Sequence, residues 1–333
     1  MKVIFFGTPD YAVPALQAII DSKHQVVAVV TQPDKPKGRS NKPVFTPVKA
    51  LAYKYNIPVF QFEKIRKDDV SDLLSIDADI IVTCAYGQII GANVLFAKKF
   101  GVINLHGSLL PKYRGSSPIQ WALINGEKVT GVTVLKSDVG MDDGEVLMSK
   151  QIDISDDDNA ITLFDKLSKL SAEVGVEALN MLESGNYEYS KQDESKVTLC
   201  KMLSSDMSEL NFNSTRSEII GYIKGLAMWP TAHITIDGVY FKLFNAKPYE
   251  GDFESYQNGQ VVIANSKQGL VIKCSDGLIE ITELLPEGSK KMSAKSYLNG
   301  KKINVGSILR WIKNCLYHIW FWKKLFWISH MWV

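Results

Sequence analysis

Short apolar runs alternate with amphipathic stretches through the first half of the chain. The apolar runs predict strands at residues 3–6, 25–31, 57–60 and 79–84. Between them, helical patterns occupy residues 8–20, 47–55 and 68–74. Strands separated by helices require right-handed crossovers and a mostly parallel sheet that is covered on both faces. The pattern therefore predicts a Rossmann-like α/β domain, in which ligands bind outside the carboxyl ends of the strands.

The same pattern continues to the end of this first domain. It predicts a helix at 118–125, strands at 130–136 and 145–154, and an amphipathic helix at 162–182. On that helix Leu163, Leu167, Leu170 and Val174 share one face, as in a helix that covers a core. We expect the helix to close a domain of residues 1–184.

A second domain is indicated by a change of pattern. Residues 185–205 are polar and predict a linker, and a helix at 214–226 follows. Five short strands are then predicted, at 232–236, 239–244, 259–264, 269–274 and 278–284. Asp-Gly pairs at 237–238 and 276–277 are typical of hairpin turns. Residues 206–307 are thus predicted to form a small β-barrel of the oligonucleotide-binding (OB) type.

Composition narrows the class of protein. The 333 residues suffice for two domains, and 46% hydrophobic with 22% charged residues are typical of a soluble globular protein. A net charge of +2 is too small to indicate nucleic-acid binding by itself, so such a role would need local basic patches. The cysteines lack metal-ligand spacing, which predicts no metal site and a reducing, cytoplasmic location; they are Cys84, Cys200, Cys274 and Cys315.

The first residues lead straight into a strand and a turn. They contain neither a long apolar segment nor a small-residue cleavage site, so we expect no signal peptide. The turn reads GTPD, which lacks the glycine spacing that lets a pyrophosphate approach the backbone. No nicotinamide site is predicted here.

Candidate chemistry centres on GVINLHGSLLPKYRG, residues 101–115. Asn104 and His106 alternate at the end of an apolar run, so their side chains point to the same side of a strand. An amide can stabilise an oxyanion and an imidazole can handle an amine proton, which are the needs of acyl transfer. The alternative is that both residues only cap a loop. In the nearby acidic loop, residues 137–145, Asp142 or Asp143 either orients His106 or only forms a turn.

An unusually long loop follows the second strand. Residues 32–46 read QPDKPKGRSNKPVFT and carry four basic side chains, Lys35, Lys37, Arg39 and Lys42. Loops of this length inside a compact α/β unit are usually functional or disordered. The two interpretations are a solvated, proline-stiffened loop and a basic finger that contacts phosphates.

Several segments together resemble one family. FFGTPD, TQPDKPKGR, TPVKALA, VTCAYGQII, NLHGSLLPKYRGSSPIQWA, TGVTV and DVGMDDGE occur in this order. The chain therefore resembles the methionyl-tRNA formyltransferases, within the folate-dependent formyltransferases, over about residues 2–307. Together these segments are far more specific than any one alone.

The resemblance implies a function and a set of residues. The donor would be 10-formyltetrahydrofolate, and the acceptor the α-amino group of methionine on initiator tRNA, giving formylmethionyl-tRNA for translation initiation. The catalytic group would be Asn104, His106 and Asp142, with Asn104 as oxyanion donor and His106 as base or second oxyanion donor. The folate-contacting segment would be Ser108, Leu109, Leu110 and Pro111. The wall of the pterin pocket would include Tyr86, Gly87, Gln88 and Ile89.

The resemblance also implies a tRNA surface. Lys35, Lys37, Arg39 and Lys42 match the family's insertion that meets the acceptor stem. In this family the second domain is an OB barrel that faces tRNA. In that domain we expect Lys290 and Lys291 to contact tRNA phosphates, together with lysines of the linker. We expect a cytoplasmic monomer that uses folate and initiator methionyl-tRNA, with no metal and no membrane unless the last residues are a native anchor.

Residues 308–333 depart from the family pattern. This segment holds five of the seven tryptophans. It is interrupted by Lys323 and Lys324, which argues against a membrane span. Two interpretations remain, an interfacial amphipathic segment and a non-native tail from a shifted reading frame or an altered stop; the second is favoured because the proposed chemistry needs no membrane.

Two other functions stay open from the sequence. A formyltransferase that acts on a nucleotide-linked amino sugar would share the catalytic segments, but would not need the basic loop or a lysine-rich barrel. A non-enzymatic RNA-binding protein on a degenerate enzyme fold would tolerate loss of Asn104, His106 or Asp142, and all three are present.

Overall fold

The structure is a computed structural model that describes residues 1–36 and 43–309. The chain divides into two compact units. The first comprises Met1–Ser205 with Gly221–Thr231, and the second comprises Asp206–Ile220 with the residues from Ala232 onward. The Trp-rich segment, apart from Ile308 and Leu309, lies outside the described residues, as do residues 37–42 of the basic loop.

The first unit is built from alternating strands and helices. In chain order these are β1 (Lys2–Gly7), α1 (Val13–Asp21), β2 (Gln25–Thr31), β3 (Lys35–Pro36), β4 (Pro43–Val44), α2 (Pro47–Lys54), β5 (Val59–Gln61), α3 (Ser71–Ser75), β6 (Ile80–Cys84), α4 (Ala92–Leu95), β7 (Val102–His106), β8 (Arg114–Gly115), α5 (Pro118–Ile124), β9 (Val129–Lys136), β10 (Val146–Asp153), α6 (Ala160–Ser184) and β11 (Leu199–Cys200).

Seven of these strands form the central sheet, in the order β10-β9-β7-β6-β1-β2-β5. The pairs from β7 to β5 are parallel, whereas β9 is antiparallel to both β7 and β10. The interior strands β1 and β6 are apolar and almost fully buried, as expected for strands covered on both faces. The predicted mostly parallel α/β sheet is confirmed.

Helix α6 is the longest element and packs against α1 and β9. It begins at Ala160, two residues before the predicted start, because Asn159 caps it: the Asn159 side chain accepts hydrogen bonds from the backbone N–H groups of Ile161 and Thr162. It ends before Gly185, whose φ of 72° is the left-handed conformation that glycine adopts readily at helix ends.

Residues 190–201, which the sequence predicted as part of a linker, lie in the first unit. Ser190 pairs with Val146 at the start of β10. Further along, β11 forms a parallel pair with β8, so that Leu199 lies beside Arg114 and Cys200 beside Gly115. We call residues 190–201 the strap.

The second unit contains the remaining elements. They are α7 (Arg216–Gly225), whose last turn belongs to the first unit, β12 (His233–Ile236), β13 (Val239–Tyr249), β14 (Val261–Asn265), β15 (Gly269–Cys274), β16 (Gly277–Pro286), β17 (Met292–Ser293) and α8 (Ala294–Gly300).

Strands of the second unit form one antiparallel sheet in the order β12-β13-β16-β15-β14, with β17 on β16 and α8 packed against β14, β15 and β16. Irregular register near Asn245 interrupts the β13–β16 ladder, and such bulges bend and twist a sheet. Beyond the bulge the ladder continues to Tyr249, so β13 is five residues longer than predicted. The predicted small barrel-type domain is confirmed.

Within residues 1–36 and 43–309, no helix combines the length and the apolar character that crossing a membrane requires.

Candidate active site

A cavity of about 570 Å³ opens where β6 and β7 end. The loops after these two strands line it, together with the acidic loop of residues 137–145. Asn104, His106 and Asp142 all contribute to its wall. The site therefore lies at the carboxyl ends of parallel strands, where the topology of such sheets places ligands.

Asn104 is held by a neighbour on β6. The parallel register sets Thr83 beside Asn104, and the Thr83 hydroxyl donates a 2.8 Å hydrogen bond to Asn104 Oδ1. This fixes the orientation of the amide, so that Nδ2 faces Asp142 and donates to its Oδ1 at 3.3 Å. An amide nitrogen carries two hydrogens, and the second is available to a ligand in the cavity.

His106 is buried, and its two ring nitrogens have different partners. Nε2 lies 2.9 Å from the backbone oxygen of Tyr113, which can only accept, so Nε2 carries the hydrogen of the neutral ring. Nδ1 lies 3.5 Å from Asp142 Oδ2. With Nε2 donating, Nδ1 is the acceptor nitrogen of the ring, and it faces the Asp142 carboxylate.

Asp142 connects the other two residues. Its Oδ1 accepts from Asn104, and its Oδ2 accepts a 2.9 Å hydrogen bond from the backbone N–H of Gly115. The backbone of Asp142 has a φ of 51°, in the left-handed region that aspartate tolerates better than most residues. The neighbouring Asp143 is exposed, and it is Asp142 that the structure brings to His106.

Strained backbone positions occur in this group and beside it. Ala85, Tyr113 and Asp142 all have positive φ without being glycine. Ala85 lines the cavity, and the carbonyl of Tyr113 receives the His106 hydrogen bond. Unfavourable backbone conformations often occur at functional sites because the surrounding contacts must enforce them.

The predicted pocket wall, residues Tyr86, Gly87, Gln88 and Ile89, does line the cavity. Gln32 Nε2 donates to the backbone oxygens of both Tyr86 and Gly87, which fixes the loop from β2. The Tyr86 hydroxyl is buried and has no hydrogen-bond partner among the described residues. Burial raises its pKa, so it stays protonated at neutral pH.

The segment Ser108, Leu109, Leu110 and Pro111 is placed differently. None of the four is among the cavity's lining residues in the described part of the chain. Instead, the Ser108 backbone oxygen accepts from Thr133 Oγ1, and the same hydroxyl accepts from the Leu110 backbone N–H. The structure thus shows this segment hydrogen-bonded to β9 and outside the cavity lining.

The basic residues fall into three groups. Lys35 is exposed on β3, which pairs with β4 as the base of the long loop, whereas Lys37, Arg39 and Lys42 lie outside the described residues. In the second unit Lys290 and Lys291 are exposed between β16 and β17. Lys291 Nζ lies 3.0 Å from Glu283 Oε1 and also stacks over the Phe244 ring.

Thr83 and Gln192 contribute to the site and were not predicted. Thr83 sits in an apolar strand, where only the register with β7 reveals its contact with Asn104. Gln192 of the strap donates from Nε2 to the backbone oxygens of Asp142 and Gly144. Backbone acceptors have no side-chain signature, so the sequence carries no signal for this contact.

No cluster of three or more histidine, cysteine or acidic side chains able to hold a metal ion occurs within residues 1–36 and 43–309.

Comparison with known proteins defines the class. Residues 1–179 match the family model described as formyl transferase, and residues 202–302 match the formyl transferase C-terminal domain. Over both of these ranges the chain thus belongs to the formyl transferases.

Individual relatives identify the family within this class. The methionyl-tRNA formyltransferase of Lachnospira eligens is 41% identical over 314 residues, which cover 93% of this chain and 99% of that protein. That of Caldanaerobacter subterraneus is 39% identical over 312 residues, with 93% and 100% covered. The chain belongs to the methionyl-tRNA formyltransferase family.

Solved structures share the fold at lower identity. A sugar 3N-formyl transferase, solved with dTDP and 5-N-formyl-THF, has a TM-score of 0.65 at 20% identity, covering 88% of this chain and 98% of its own. HypX of Aquifex aeolicus in complex with tetrahydrofolic acid has a TM-score of 0.58 at 16% identity, covering 93% and 51%. At these identities the similarity concerns the fold alone.

Proposed function

We propose that this chain transfers the formyl group of 10-formyltetrahydrofolate to the α-amino group of methionyl initiator tRNA. The observation that carries the proposal is the arrangement of Asn104, His106 and Asp142 in the cavity wall of a chain that belongs to this family. An amide donor, an imidazole with a free acceptor nitrogen and a carboxylate are what acyl transfer to an amine requires.

The acceptor needs little activation. A peptide α-amino group has a pKa of about 8, and an ester on the same carbon lowers it further. A large fraction of a methionyl ester is therefore neutral at pH 7 and can attack the formyl carbon directly. The protein's task is to stabilise the charges that develop during this attack.

Asn104 supplies the oxyanion donor. As the amine nitrogen bonds to the formyl carbon, the carbonyl electrons move to oxygen, and the second hydrogen of Asn104 Nδ2 can bind that oxygen. The hydrogen bond from Thr83 holds the amide in this orientation before the substrate arrives. Donors fixed in advance stabilise a transition state without the cost of reorienting.

His106 and Asp142 manage the proton. The attacking nitrogen becomes positively charged, and His106 Nδ1 takes one of its protons. Asp142 Oδ2, 3.5 Å away, stabilises the imidazolium. When the bond between the formyl carbon and the folate nitrogen breaks, the proton passes to that nitrogen, which leaves formylmethionyl-tRNA and tetrahydrofolate.

The donor is assigned to the cavity beside the loop of residues 86–89. This loop carries Tyr86, whose protonated hydroxyl lacks a partner among the described residues, and its backbone is fixed by Gln32. Because the loop lines the cavity, a heterocycle bound there would contact it. The sugar 3N-formyl transferase and HypX, which share the fold, were solved with folates, which supports a folate donor.

The acceptor is assigned from the relatives that align over almost their whole length. Two basic features of this chain, the long loop and the lysines of the second unit, support the assignment. Lys35 lies at the base of a basic loop, and the second unit carries Lys290 on its surface. An acceptor with many phosphates suits such scattered lysines. We assign the same roles to Lys37, Arg39 and Lys42, which lie outside the described residues.

An acceptor panel tests the function. Purified protein is incubated with 10-formyltetrahydrofolate and, separately, with methionyl initiator tRNA, methionyl elongator tRNA and a nucleotide-linked amino sugar. We expect formylation of the initiator at a kcat/KM at least tenfold above that for either alternative. Transfer to the sugar with none to tRNA would contradict the acceptor assignment while preserving that of the catalytic group.

A further inference from the structure

The strap covers the acidic loop and the loop that follows His106. Its Thr198 receives hydrogen bonds from Tyr113 and Arg114, through its hydroxyl and its backbone oxygen respectively. Its Lys201 backbone oxygen accepts from Trp121 Nε1. Together with the pairing of Ser190 to Val146, these contacts bind the strap to the segments on both sides of Asp142.

Gln192 is the strap residue that contacts the acidic loop directly. Its Nε2 donates to the Asp142 and Gly144 backbone oxygens, each at 2.8 Å. Its Oε1 accepts from Arg114 Nε at 3.0 Å and Nη2 at 2.9 Å. A carboxamide has two N–H donors and two acceptor sites, so every one of them is used.

Arg114 fixes the carboxamide in place. The guanidinium is buried and forms a second contact, a 2.7 Å ion pair with Glu194 of the strap. Because Arg114 can only donate, Gln192 must turn its oxygen toward Arg114 and its amide nitrogen toward the acidic loop. Arg114 also immediately precedes Gly115, whose N–H binds the Asp142 carboxylate.

We propose that Gln192 is a positioning residue for Asp142, holding the acidic loop so that the carboxylate stays between Asn104 and His106. Asp142 adopts a left-handed backbone that isolated chains populate rarely. Two hydrogen bonds to the carbonyls of residues 142 and 144 stabilise that conformation from outside the cavity. Gln192 acts only through Asp142 and does not touch the reacting groups.

The test compares two variants of Gln192 that retain its size. Gln192→Glu keeps the acceptor for Arg114 but loses both donors, and Gln192→Met loses donors and acceptor without adding charge. We expect each to lower kcat about tenfold or more, with the KM of donor and acceptor changed less than about threefold. Ser195→Ala, at an exposed residue of the same strap whose hydroxyl bonds Asp193 within the strap, is the matched control and should stay within about twofold of wild type.

A double-mutant cycle separates positioning from general damage. In an Asp142→Asn background, Gln192→Met should cause little further loss, because Gln192 acts through the carboxylate that is already gone. The proposal would be overturned if the two losses in kcat multiplied in the double variant, or if the Gln192 variants kept the wild-type kcat. The cycle rests on the proposed function, and a wild-type protein that formylates no methionyl-tRNA would contradict that function instead.

A measurement that does not depend on catalysis separates the role of Gln192 from the proposed function. The Gly115 amide is protected by Asp142 Oδ2, so its hydrogen exchange, followed by NMR, reports on the carboxylate's position. Gln192→Met should speed this exchange at least tenfold relative to Ser195→Ala. Unchanged exchange at Gly115 would overturn the proposal whatever the protein's activity.

Discussion

At the scale of single residues, the side chains of the proposed catalytic group are each oriented by a partner to which we assign no part in the reaction. Thr83 fixes the Asn104 amide, and the Tyr113 backbone oxygen fixes the His106 ring. Orientation matters because a small misplacement of a reacting group can cost orders of magnitude in rate. The supporting partners should therefore influence turnover more than substrate binding.

Thr83→Val tests this at one hydrogen bond. The substitution keeps the branched shape but removes the donor to Asn104 Oδ1, so the amide is free to turn. We expect kcat to fall about tenfold with little change in either KM. Thr130→Val, another buried threonine at the far end of β9, is the control and should keep wild-type kcat. Equal kcat in the two variants would contradict the role of Thr83.

Two residues of the proposed catalytic group could be predicted from their spacing along one strand. Asn104 and His106 alternate, so their shared direction follows from strand geometry. Thr83 could not be predicted, because its contact depends on the register between β6 and β7. Gln192 could not be predicted either, since it binds backbone oxygens 48 and 50 residues away.

At the scale of elements, the entry to α6 is stabilised by a buried carboxylate. Asp158 accepts from Lys166 at 2.6 Å, from the Ser155 backbone N–H and from Thr162 Oγ1. Burial alone would raise the pKa of Asp158, but these hydrogen bonds outweigh it and hold the pKa below its ordinary value. The carboxylate therefore contributes stability in its ionised form.

Asp158→Asn should lower the free energy of unfolding by about 1–2 kcal/mol at neutral pH. Because the folded pKa is depressed, the wild-type advantage exists above the unfolded pKa of about 4 and is lost as the pH falls through the folded value. Urea unfolding at about pH 7 and pH 3 should thus show a gap that closes in acid. Asp165→Asn, an exposed partner of Lys169, should change stability by less than about 0.5 kcal/mol. A gap independent of pH would contradict this account.

Elements were predicted best where periodicity is strong. The strands and helices of the central sheet follow from alternating apolar runs, and α6 from its apolar face. The strap has no such pattern, since β11 is two residues long and its other contacts use side chains and single backbone groups. Its place against β8 is a tertiary effect that local sequence does not encode.

At the scale of the whole molecule, a nearly neutral chain is proposed to bind a polyanion through local lysines. Lys290 and Lys291 are neighbours, but Lys291 is paired with Glu283 and its charge is partly offset. Each phosphate contact should release counterions and steepen the salt dependence of binding. We therefore expect Lys290 to contribute more than Lys291.

Lys290→Ala should raise the KM for methionyl initiator tRNA about threefold or more and reduce the salt slope of kcat/KM by up to about one unit. Lys291→Ala is the matched comparison and should have a smaller effect on both. The KM for the folate donor should not change in either variant. A larger effect of Lys291→Ala would show that the ion pair with Glu283 does not limit this lysine's contact with tRNA.

The most direct test of the central claim is single-turnover transfer of labelled formyl from 10-formyltetrahydrofolate to methionyl initiator tRNA, with enzyme in excess and both substrates saturating. We expect the wild type to convert the tRNA fully, and Asn104→Ala and His106→Ala to reach the same end point at least about a hundredfold more slowly. Wild-type rates in both variants, or no labelled tRNA with the wild type, would contradict the account.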